Sequence, residues 1–98
     1  MAVLIRHGGE RALQGLRTAL SLSLGDRPAA VYLVREGLEV LGAAAESETG
    51  RCLATLLDDL GTEVVADSAT QAVPPGVARR SLARILGEVG RASFQQTF

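Results

Sequence analysis

The sequence predicts an α/β domain with three layers, built around a mostly parallel sheet of four or five strands. Three observations predict it. The chain has 98 residues, a length that suits one domain covering residues 1–98. Short β-branched runs alternate with stretches of helical periodicity, the order typical of βαβ units. The strand candidates are also apolar at successive positions, as in sheets buried on both faces.

The first half of the chain contains two predicted strands and one clear helix. A strand over Ala2–Arg6 leads through His7-Gly8-Gly9 into an amphipathic helix, Glu10–Leu24, whose leucines recur every three or four positions. Ala29–Val34 is the second strand. Leu38–Ala45 fits either a short helix or a covering loop.

A second helix is predicted over Glu48–Leu60. Ser47 is a suitable N-cap, and Gly61 is a suitable residue just beyond the C-terminus. The third strand is predicted over Thr62–Ala66 and runs into the polar loop Asp67–Thr70.

The last part of the chain begins with the strongest breaker of regular structure, Pro74-Pro75-Gly76. A helix is predicted from Val77 to Val89, because apolar residues recur at helical spacing near its end. Arg79-Arg80 would then lie at the start of that helix, as a solvated face or a subunit contact. Ser93–Phe98 is a candidate fourth strand.

Composition excludes several classes of function. The net charge of −1 argues against direct nucleic-acid binding, and no apolar run is long enough for a membrane span. Cys52 is the single cysteine, so an intrachain disulfide and an all-cysteine zinc site are excluded. The sequence has no secretory signal pattern, and we expect a cytoplasmic location. No motif predicts a cofactor or a metal.

The candidate ligand site lies where the predicted strands end, because parallel α/β sheets bind ligands beyond the carboxyl ends of their strands. Gly8 and Gly9 precede a helix N-terminus whose free N–H groups suit an anion, although an ordinary turn uses the same residues. The full set of candidate ligand-binding residues is His7, Gly8, Gly9, Glu36, Ser68 and Thr70.

Two side chains in the sequence have alternative interpretations. His7 is either an acid–base group or a partly exposed histidine that bonds a neighbouring loop. Cys52 is a weak candidate for a reactive thiol beside Arg51, and packing as a small hydrophobic residue is the favoured interpretation. Ser68 lacks a surrounding Gly-x-Ser-x-Gly pattern, which argues against a serine hydrolase.

Three segments resemble the DsrE/DsrF-like sulfur-relay family, and its DsrF/TusC branch most closely. They are Val3–Arg6, the Gly-Leu-Arg-x-Ala-Leu helix within Leu13–Leu22, and Val31–Leu38 with its Glu36-Gly37-Leu38 turn. The resemblance implies a small α/β subunit with flavodoxin-like βαβ units, which assembles with copies of itself or with other DsrE-like subunits.

The resemblance also implies a persulfide-carrying cysteine just after the third strand. Ala66 or Asp67 stands at that position here, and neither side chain can carry a persulfide. We therefore expect a non-catalytic subunit that acts through homo- or hetero-oligomeric assembly in intracellular sulfur relay, in tRNA thiolation or sulfur oxidation. The alternatives are a small-ligand or anion-binding module at the strand ends, and a sulfurtransferase that uses Cys52.

Overall fold

The computed structural model describes residues 1–25, 27–67 and 73–98, and it confirms the predicted α/β class with a parallel sheet of five strands. The chain order is β1 (Ala2–Ile5), α1 (Gly9–Leu24), β2 (Ala30–Leu33), a 3-10 helix (Arg35–Gly42), α2 (Glu48–Ala54), a π-helical turn (Thr55–Asp59), β3 (Glu63–Asp67), β4 (Val77–Arg80), α3 (Leu82–Arg91) and β5 (Gln95–Thr97).

The strands lie in the order β4-β3-β2-β1-β5, and every neighbouring pair is parallel. The register places Leu4 beside Tyr32 and Tyr32 beside Val65, so these three side chains share one face of the sheet. Because all strands point the same way, their carboxyl ends lie at one edge of the sheet.

The two faces of the sheet are covered unequally. The first face packs against α1, the 3-10 helix and α2, and its fully buried side chains include Ile5, Leu16 and Leu56. Within the described part of the chain, the second face is covered by α3, through Ile85 and Val89. The second cluster is therefore the smaller of the two.

The predicted start of the second helix is confirmed. The hydroxyl oxygen of Ser47 accepts a hydrogen bond from the backbone N–H of Gly50 at 3.0 Å, as an N-cap does. The α-helix ends at Ala54, however, and the chain continues as the π-helical turn. Gly61 follows with a φ of +60°, the left-handed conformation expected of a residue just beyond a helix.

The prediction of a helix from Val77 was wrong. Val77–Arg80 forms β4, which pairs with β3, and α3 begins only at Leu82. The hydroxyl oxygen of Ser81 accepts a hydrogen bond from the N–H of Arg84 at 3.3 Å and caps that helix. Arg79 and Arg80 therefore belong to an edge strand, in which Arg79 is exposed and Arg80 is half-buried.

The segment predicted as a possible last strand contains β5, over Gln95–Thr97. Among the described residues, no helix is long and apolar enough to cross a membrane.

Candidate functional site

The carboxyl edge of the sheet brings together most of the residues that the sequence singles out. His7, Gly8 and Gly9 follow β1, and Glu36 follows β2 within the 3-10 helix. Asp67, which was predicted in a loop, is the last residue of β3. Ser68 and Thr70 lie outside the described residues.

Gly8 and Gly9 line a groove of about 450 Å³ between the beginnings of α1 and α2, closed on a third side by the 3-10 helix. Gly9 has a φ of +61°, which glycine adopts without strain and which lets the chain turn from β1 into α1. Ser47 and Thr49 line the opposite wall. On the first face of the sheet, the groove offers room for a small molecule at this edge.

The charge of this groove does not favour an added anion. A Cβ atom at Gly8 would overlap Oε2 of Glu39, so this carboxylate already lies against the residue that precedes α1. Glu10, in the first turn of α1, is a second lining carboxylate, and no arginine lines the groove. The positive end of the helix dipole thus faces the chain's own acidic side chains.

His7 is half-buried, and its Nδ1 atom is buried with no hydrogen-bond partner among the described residues. The expected hydrogen bond from its ring to a neighbouring loop is therefore not made at this nitrogen. The side chain is not part of the groove lining. The structure consequently separates His7 from the groove that Gly8 and Gly9 enter.

The turn after β2 has an unusual backbone. Arg35 has a φ of +51°, a left-handed conformation that costs an arginine on the order of 1 kcal/mol. Two residues later, buried Gly37 lies so close to β1 that a Cβ there would overlap the carbonyl group of Ile5. Glu36, between them, is exposed and takes no part in the groove lining.

Cys52 lies in α2, half-buried against the core of the first face. Its neighbour Arg51 donates a hydrogen bond to the carbonyl oxygen of Glu46 at 2.8 Å, which fixes the guanidinium near the start of the helix. The packing that the sequence favoured for Cys52 agrees with this position. Within the described ranges, no three His, Cys, Asp or Glu side chains cluster as metal ligands would.

The second face of the sheet carries a polar network that the sequence pattern did not predict. The hydroxyl group of Tyr32 donates to Oε1 of Glu88 at 3.2 Å, and Arg80 donates to the same oxygen at 2.5 Å. Arg84 donates to the other carboxylate oxygen of Glu88 at 3.1 Å. The i,i+4 spacing of Arg84 and Glu88 was the one signal in the sequence that could have indicated part of this network.

The network shifts the acidity of its members. Burial, and then the negative charge of Glu88, raise the pKa of the Tyr32 hydroxyl above its ordinary value of 10.0. Burial alone would raise the pKa of Glu88, but the charge of Arg80 and the hydrogen bonds from Tyr32 and Arg84 hold it below the ordinary value. The network ties α3 to β2 and β4.

The comparisons with known proteins define the fold class. No protein-family model matches the sequence, and no curated protein matches it. The structure resembles the crystal structure of the ychN protein from E. coli with a TM-score of 0.78 and 16% sequence identity. The match covers 99% of this chain and 97% of the ychN chain. The fold is therefore DsrE-like.

Proposed function

We propose that this protein is a non-catalytic DsrE-like subunit that acts by assembling with copies of itself or with related subunits, in a cytoplasmic sulfur relay. The shared fold and the sequence resemblance support the relay. The observation that carries the assembly is the edge strand β5, which is exposed and carries no charged side chain that would oppose pairing with another chain.

The geometry of β5 suits a further strand. The carbonyl oxygen of Phe94 accepts a hydrogen bond from the N–H of Ala2 at 2.9 Å. The carbonyl oxygen of Phe98 accepts one from the N–H of Arg6 at 2.8 Å. Because backbone groups alternate along a strand, those of Gln95 and Thr97 point away from β1. All three residues of β5 are exposed and uncharged.

The other edge of the sheet differs in this respect. β4 ends in Arg79 and Arg80, and arginines on an edge strand discourage pairing between sheets. Phe94, beside β5, is 44% exposed and adds apolar surface at this uncharged edge. We therefore place the subunit contact at β5.

Three positions support the proposal that this chain does not itself carry sulfur covalently. Ala66, one candidate for the cysteine position of the resembled family, is fully buried in β3, and Asp67 ends that strand. Cys52 lies on α2 and packs against the core instead of following a strand. These positions support a role in which sulfur is carried by a partner subunit.

The test is the mass of the protein in solution. We expect light scattering after size exclusion to give a multiple of the 10.2 kDa chain mass at micromolar concentrations. The variant Gln95→Lys places a charge within the proposed contact and should raise the dissociation constant about fivefold.

The control adds a lysine elsewhere. Ala54→Lys changes an exposed residue of α2 that lines a pocket with Pro74, just before the opposite edge strand β4, and should leave the solution mass unchanged. A wild-type protein that stays monomeric both alone and with cysteine-bearing DsrE-like subunits would refute the proposal. If both variants assembled equally well, the subunit contact would not lie at β5.

A further inference from the structure

A small cavity lies at the carboxyl edge on the second face of the sheet, on the opposite side from the groove at Gly8. Its volume is about 140 Å³, comparable with the ~150 Å³ cavity that admits a benzene ring. The ends of β1 and β2 form one side, and α3 forms the other. The lining residues are Leu4, Arg6, Val34, Arg35, Leu82 and Leu86.

The floor of the cavity is apolar and fixed. Leu4 and Val34 are buried in the core of the second face, where they are held by the sheet. Leu86 is 52% exposed on α3 and forms part of the rim. A flat apolar group of a few carbon atoms could therefore cover Leu86 and rest on a preformed surface.

The lining also includes Leu82 and two exposed arginines, Arg6 and Arg35. Neither Arg6 nor Arg35 forms an ion pair with a described residue, whereas Arg80 and Arg84 on the same face are both paired with Glu88. Asp67 ends the neighbouring strand but is not among the lining residues. The cavity thus combines an apolar floor with positive charge that the described side chains leave uncompensated.

The backbone at Arg35 is a second, independent observation. Its left-handed φ of +51° is a conformation that glycine adopts freely and arginine does not. Strained positions of this kind concentrate at ligand sites. Here the strained residue brings a guanidinium group to the cavity lining.

We propose that this cavity binds a small amphipathic carboxylate, whose apolar part lies on Leu4 and Val34 and whose carboxylate is bound by Arg6 and Arg35. Guanidinium groups match the planar geometry of carboxylates. No residue of β5 lines the cavity, and its binding does not depend on the proposed assembly.

Benzoate is the probe, because its ring suits the cavity volume. Benzyl alcohol is the uncharged control, because it has the same ring without the carboxylate. We expect benzoate added to the ¹⁵N-labelled protein to shift the amide signals of Leu4, Val34 and Leu86 in a saturable manner. Arg6→Gln and Arg35→Gly should each weaken the binding about fivefold. Arg35→Gly also relieves the strained backbone, so it should not lower the melting temperature.

Arg27→Gln is the control, because this exposed arginine lines a pocket at the opposite edge of the sheet. It should leave benzoate binding unchanged. Benzyl alcohol binding as tightly as benzoate would overturn the proposal. Unchanged affinity in both cavity variants, or an absence of saturable shifts at Leu4 and Val34, would overturn it as well.

Discussion

Replacing Gly37 with alanine should destabilise the protein strongly, because this residue lies directly against the end of β1. A Cβ atom there would lie 2.7 Å from the carbonyl carbon of Ile5 and 3.1 Å from its Cγ2. Carbon atoms in contact are normally 3.5–4.0 Å apart. The obstacle is backbone within a fully buried strand, so β1 and the 3-10 helix would have to separate by about 1 Å.

Overpacking of this kind costs about 1–3 kcal/mol, and the involvement of backbone on both sides favours the upper end. For a domain of this size, each kcal/mol lowers the melting temperature by about 4–8 °C. We therefore expect Gly37→Ala to melt about 12–24 °C below the wild type, when unfolding is followed by circular dichroism. Urea denaturation should show the same loss of stability.

Gly42→Ala is the matched control, since it makes the same change at the other end of the same 3-10 helix. A Cβ at Gly42 would meet no atom within 4 Å, so this variant should be neutral or slightly stabilising. If Gly37→Ala melted within about 2 °C of Gly42→Ala, the close approach of Gly37 to Ile5 would not constrain the residue at this position.

Two further predictions concern the polar network and the cysteine. Glu88 has a folded-state pKa below its ordinary value of 4.5, so its contribution to stability is present above that value and is lost as the pH falls through the folded pKa. Glu88→Gln should thus be less stable than the wild type at neutral pH, and the difference should shrink in acid; a constant difference would contradict this. For Cys52, incubation with a cysteine desulfurase and cysteine should add no lasting sulfur atom by mass spectrometry. A retained sulfur that is lost in Cys52→Ser would instead favour the sulfurtransferase alternative.

Local patterns in the sequence predicted the first three strands and the capped helix, because burial and capping each require particular residue types at neighbouring positions. The run Val31–Val34 can be buried on both faces only within a sheet, and Ser47 can accept a bond from an N–H group three residues away. These features needed no knowledge of distant contacts.

The mistaken helix at Val77 shows where local signals fail. Leu82, Ile85 and Val89 have helical spacing, but the spacing of apolar residues does not by itself show where the helix begins. The four residues before Ser81 form a strand because they pair with the edge of β3. This contact joins residues that are distant in the sequence, so local patterns do not show it. The N-cap at Ser81 was the local signal that could have corrected the boundary.

The candidate site was likewise predicted only in part, because some of its contacts join residues that are distant in the sequence. Parallel strands place His7 and Glu36 at one edge, as expected from topology. The carboxylate of Glu39 against Gly8 depends on how the 3-10 helix packs on α1, and no sequence spacing encodes it. The conformation of Arg35 is likewise imposed by the turn that follows β2.

The order of the strands has a consequence for how the protein folds as it is made. β5 is the last strand in the chain, yet it pairs with β1, the first, after α3 has crossed the second face of the sheet. On a ribosome, β1 therefore has one unpaired edge until Gln95–Thr97 have emerged, and pairing across such a sequence distance is slow. The apolar strand Ala2–Ile5 is therefore exposed to aggregation until β5 has formed.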